Sequence, residues 1–191
     1  MPVKLIHQNY LEVVGEGPVL LTNILDPKQS EELYAGRIVE EAALLSKTHA
    51  IIPKEVKNTW DPNALQQITS EVEARTRQLV EELQIKCVIA LGGTNERGVW
   101  IRGPRTSSKE AIGTDLAKDA LSTDSEMQIS VDDSTDGTGS GNAITIHISL
   151  GPDARGFRKD LIVARIADLV GVIRTRLGWS ETDQGSSDVL D

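Results

Sequence analysis

Aromatic residues and cysteines are nearly missing from this chain: 191 residues carry one Cys, one Phe and two Tyr, and aromatics amount to 3%. A lone cysteine excludes an internal disulfide framework, and a chain of this length buries about 68–70% of its surface, so a core forms without disulfides or zinc. Cys87, inside IKCVIAL, reads as a small buried hydrophobe. Long apolar runs are also lacking. None approaches the roughly 20 residues of a membrane span, and MPVKLIHQNY has no uninterrupted apolar stretch of the signal-peptide kind. A soluble protein, cytoplasmic or virion-borne, is expected, with no membrane partner.

Positive charge is in short supply. Twenty Lys and Arg stand against 29 Asp and Glu, a net charge of -9, which argues against non-specific binding to nucleic acid or anionic lipid. The three histidines make no HxH or HExxH pattern, and there is no G-x-S-x-G elbow. No catalytic, cofactor or metal set is therefore assigned.

What is present is regular patterning. VKLIH, YLEVV and VLLTNIL read as short strands around a Gly-Pro turn, and Asp26-Pro27 offers an N-cap for a helix running to about Ser46. Asp61-Pro62 repeats the device and opens a helix near 63–83, with Leu65, Ile68, Val72, Thr76, Leu79 and Leu83 on one face. Glu71 with Arg75 and Glu73 with Arg77 are spaced to support its exposed face as ion pairs. Residues 85–91 predict a central strand, GVWIRG another, and residues 109–120 a short helix. EMQISVD and AITIHISL alternate clearly and predict a β-hairpin over 127–150, tipped by DDSTDGTGSGN. A last helix near 155–177, from Phe157 to Leu177, is apolar around most of its circumference. The expected fold is α+β or mixed α/β: one domain over 1–179, its sheet covered by the 63–83 and 155–177 helices, and a tail at 180–191.

Several candidate sites can be weighed. Asp132, Ser134, Asp136 and Gly137 begin like a calcium loop, but position eight is Gly139 and position twelve is Ala143 where a bidentate Glu belongs. LGGTNERG enters a Gly-Gly turn with Arg97 near, yet lacks the phosphate-loop spacing. His147 shares a polar strand face with Thr145 and Ser149, opposite Ser130 or Asp132, which is the place for a hydrolytic site if there is one. Trp100 and Arg102, the acidic Asp132 and Asp136, and Arg158, Arg165 and Arg176 along one angle of the last helix read as interface residues. These features favour a non-enzymatic structural or assembly subunit of a homo-oligomer, of which a virion or tail-type ring component is one form, whose main partner is itself. The alternatives are a small hydrolase with its site near His147, and a binding module for a basic protein partner.

Overall fold

The computed structural model describes residues 1–25, 34–55, 61–105, 112–122, 127–132, 143–156 and 158–180. Eight strands form one mixed sheet: β1 (Val3–Ile6), β2 (Tyr10–Val14), β3 (Val19–Asn23), β4 (His49–Pro53), β5 (Cys87–Gly93), β6 (Val99–Arg102), β7 (Ile129–Asp132) and β8 (Ile144–Leu150). Their spatial order is β1-β2-β4-β3-β5-β8-β6-β7. The middle four, β4, β3, β5 and β8, run parallel, and β3, β4 and β5 are buried throughout. That burial on both faces is why their sequences read as continuous apolar runs.

Helices cover the two faces unequally. One face carries Val19, Leu21, Ile89, Ile101, Ile146 and Ile148, and against it pack α1 (Gly36–Ser46), α3 (Thr114–Leu121) and α5 (Lys159–Arg176). The other carries Leu20, Ile51 and Val88, and of the described helices only α2 (Pro62–Glu82) packs there, through Leu65, Ile68, Val72, Leu79 and Val80. The cap at Asp61 forms as expected, its carboxylate accepting from the Asn63 N–H at 2.9 Å. No described helix is long and apolar enough to cross a membrane.

The mixed α+β architecture follows the sequence patterning, but the expected hairpin does not form. β6 lies between β7 and β8, parallel to the first and antiparallel to the second. Its own alternation explains the insertion. Val99 and Ile101 continue the apolar face of Ile129 and of Ile148 and Leu150, while Trp100 and Arg102 continue the polar one. The link from β6 to β7 contains α3 and so has the length that a parallel crossover requires.

Two helix boundaries also differ. The described part of α1 begins at Gly36, with Tyr34 and Ala35 not helical, and Asp26-Pro27 lies outside the described residues. The last helix is divided into α4 (Pro152–Arg155) and α5, parted at Gly156. Of the ion pairs expected along α2, the Glu71–Arg75 pair is replaced by contacts to other residues. Arg75 donates through Nε and a terminal nitrogen to the two oxygens of buried Glu12, each at 3.1 Å, and Glu71 accepts from Asn9 at 2.7 Å. These contacts clip α2 to β2 and to the turn before it.

Candidate active site beside the sheet

Because α2 covers only the β4, β3 and β5 part of its face, a gap opens where the helix lifts from the sheet. A cavity of about 440 Å³ lies there. Thr22, Asn23, Ile24 and Leu25 at the carboxyl end of β3, Pro53 at the end of β4, and Val88, Ala90, Thr145 and His147 on β5 and β8 form the sheet side; Thr69, Val72, Glu73, Thr76 and Arg77 form the helix side. α1 connects β3 to β4 over one face and α2 connects β4 to β5 over the other. Such a reversal leaves a crevice at the carboxyl ends of parallel strands, a general ligand position in open α/β sheets.

His147 is exposed on the cavity wall. Neighbouring protein atoms still remove enough water to lower its pKa below the usual 6.5, and the nearby Arg102 cation lowers it further. The imidazole is therefore neutral at pH 7 and can accept a proton. Register places Ala90, His147, Arg102 and Asp132 in one row across β5, β8, β6 and β7. Arg102 Nε and Asp132 Oδ2 are 3.2 Å apart at the exposed end of that row. Asn23 is 3% exposed, and neither its amide nitrogen nor its amide oxygen has a partner. A buried amide left unpaired costs about 1–3 kcal/mol, so Asn23 has donor and acceptor capacity available to a water or ligand at this strand end.

Of the residues singled out in the sequence, Trp100, Arg102 and Asp132 do come together beside His147. Asp136, with the rest of the calcium-like stretch after Asp132, lies outside the described residues. Arg158, Arg165 and Arg176 belong to α5 or its cap, in the helical layer on the opposite face of the sheet, and Arg165 pairs with Asp168 at 3.2 Å. They do not join the cavity. LGGTNERG connects β5 to β6, so no helix N-terminus follows its glycines. Sequence reasoning missed Thr22, Asn23, Glu73 and Arg77, because the partners that define their setting are far apart in the chain. For Asn23 a signal existed: a carboxamide ending an otherwise apolar strand.

No protein-family model matches the chain, and no curated protein matches it. Solved structures do. A bacteriophage poly-γ-glutamate hydrolase superposes with a TM-score of 0.60 at 10% identity, over 91% of this chain and 92% of that one. The fold is one that hydrolases use. The protein YNDL, solved in an apo form described as zinc-free, gives a TM-score of 0.53 at 18% identity over 87% of this chain and 90% of its own. The catalytic domain of an endolysin targeting Clostridia difficile gives 0.50 at 12% identity, over 85% and 97%. That likeness, to a phage hydrolase and to an endolysin catalytic domain, corrects the expectation of a non-enzymatic assembly or virion subunit.

The mention of zinc in one neighbour raises the question of a metal here. Among the described residues no group of three His, Cys, Asp or Glu could hold one. Among the described residues that line the cavity there is one imidazole, His147, on the sheet and one carboxylate, Glu73, on α2. Those two groups do not by themselves make a catalytic zinc site, which takes at least three protein ligands.

Proposed function

We propose that this chain is a hydrolase of amide bonds, with its site in the cavity between α2 and the β3, β5 and β8 strands and His147 as general base. The observation that carries the reading is His147 itself, a neutral imidazole lining the cavity of a fold found in hydrolases. In the first step His147 takes a proton from water while the water oxygen bonds to the carbonyl carbon. In the second the imidazolium returns that proton to the amide nitrogen as the C–N bond breaks, leaving a carboxylic acid and an amine. Arg77, on the helix wall, supplies the positive charge that a developing oxyanion needs. One observation favours a second reading, a binding protein that does not turn its ligand over: the charged group acting on His147 is an arginine and not an orienting carboxylate.

Poly-γ-glutamate and a panel of peptide amides are suitable substrates, with amine release as the readout. His147→Gln should lower kcat by about 10²–10⁴-fold with the fold retained. The wild-type rate should fall as pH drops below 6.5 through the lowered His147 pKa, since protonation removes the base. Equal rates for variant and wild type would refute the role of His147. A wild type that binds these amides without cleaving them would establish the second reading.

A further inference from the structure

Beyond the cavity the sheet face continues past the described helices. α2 packs only on the β4, β3 and β5 side, and α1, α3 and α5 occupy the other face, so among the described helices none covers β8, β6 and β7 on the His147 side. Two rows of side chains stand there in register. One is His147, Arg102 and Asp132; the other is Ser149, Trp100 and Ser130. Trp100 is 41% exposed, with a serine on the strand at either side. A large indole stands partly exposed on a face otherwise made of short hydroxyls and charges, in the row next to that of His147.

The physical character of the platform narrows what it takes. Arg102 is matched by Asp132 at 3.2 Å, so no surplus positive charge remains at this spot for a polyanion, and the whole chain is acidic. A peptide cannot add as a further strand beside Trp100 itself, because β6 is paired on both edges, by β8 and by β7. A helix needs an apolar groove, whereas this face is polar except for Trp100. What fits is a flat ring with an apolar face and a hydroxylated rim. Its C–H groups stack on the indole, while the rim meets Ser130 and Ser149 and the donor and acceptor ends of the Arg102–Asp132 pair.

We infer that the β8–β6–β7 face is a subsite for a neutral pyranose, with Trp100 as its stacking residue and the Arg102–Asp132 pair as its polar rim. The inference rests on the hydrolase reading, since it assigns this platform to the part of the substrate flanking the cleaved bond.

The test is a titration of the full ¹⁵N-labelled chain with maltotetraose and with tetra-N-acetylchitotetraose, following the indole N–H resonances; Trp100→Phe identifies the Trp100 signal. The Trp100 resonance should move saturably with at least one of the two sugars. Affinity should fall about tenfold in Trp100→Ala, equivalent to ~1.4 kcal/mol, and stay within about threefold of wild type in Trp100→Phe, which keeps a stacking ring. Because Trp100 is exposed, neither change threatens the core, and unaltered remaining amide resonances verify this. A Trp100 signal unmoved by both sugars at tens of millimolar refutes the inference, as does equal affinity in Trp100→Ala. A shift produced by an oligo-γ-glutamate but by neither sugar also refutes it, in favour of a peptide-like chain. The two readings fail separately. His147-dependent amide cleavage without sugar binding removes the subsite alone, and sugar binding at Trp100 without cleavage upholds the subsite while removing the hydrolase.

Discussion

Replacing Arg75 with methionine isolates the contact that pins α2, the outer wall of the cavity, to the sheet. Glu12 stands on β2 with its side chain 5% exposed, and both carboxylate oxygens receive a guanidinium N–H at 3.1 Å. His7 Nε2 lies 3.6 Å away, and Glu82 takes the outer side of the guanidinium at 3.3 Å. Methionine keeps most of the Arg75 stem and removes the charge, leaving Glu12 buried without its cation. Breaking a fully buried pair costs about 3–5 kcal/mol. The Arg75 side chain is 25% exposed, so water reaches its end of the pair, and the expected loss is smaller, about 2–4 kcal/mol. For a chain of this size that is a fall in Tm of roughly 5–15 °C. Urea titrations of wild type, R75M, E12L and the double variant E12L/R75M complete a cycle. The double variant should recover most of the loss, because two apolar groups in a buried site carry no desolvation penalty. A loss below about 1 kcal/mol in R75M, or a double variant as unstable as the sum of the singles, would refute the account. Amide exchange in α2 should also quicken in R75M, since the Asn9–Glu71 contact would then hold the helix with less help.

Other expectations follow from buried groups. His49 and His147 both have lowered pKa values, His49 chiefly through burial and then through Arg174. Unfolded histidine protonates near 6.5 while the folded imidazoles remain neutral, so the unfolded state binds more protons just below that pH; stability should be full above about 6.5 and decline as pH falls toward the lowered values. Denaturation midpoints across this window check it, and His49→Gln should flatten part of the slope. Arg174, 7% exposed, donates to the carbonyls of Ser46, Glu16 and Lys47 and lies 4.5 Å over the Trp179 ring, tying α5 to the end of α1 and to the turn before β3. Arg174→Met should cost about 2–4 kcal/mol in urea unfolding by leaving those carbonyls short of donors; a change within 0.5 kcal/mol, the range of ordinary surface substitutions, would contradict it. Burial pushes the Cys87 thiol up to about 12, so a disulfide reagent at pH 8 should leave the native chain unmodified and label it fully in denaturant.

Local signals were read correctly where the physics is local. The Asp61-Pro62 cap, the apolar face of α2 and the alternation of β8 each depend on residues within a few positions, and each appears where the spacing predicts, except that Leu83 caps α2 exposed while Val80 joins the buried face. The burial of Cys87 and the division of Ile144, Ile146, Ile148 and Leu150 from Thr145, His147 and Ser149 were equally legible. Strand order was not, because β6 presents the same alternation as β7 and β8, and period two states which face a residue takes but not which neighbour it pairs with.

The sequence by itself determined which elements form and which of their faces are apolar, since helix and strand periods are properties of a short window. Only the tertiary structure decided the site. Asn23, Arg77 and His147 come from β3, α2 and β8, and they share one cavity because α2 crosses to the face opposite α1 and stops short of β8. The same coverage leaves Trp100, Arg102 and Asp132 beside His147 and sends the α5 arginines to the other layer. A long-range crossover sets these neighbours, and no spacing along the chain encodes it.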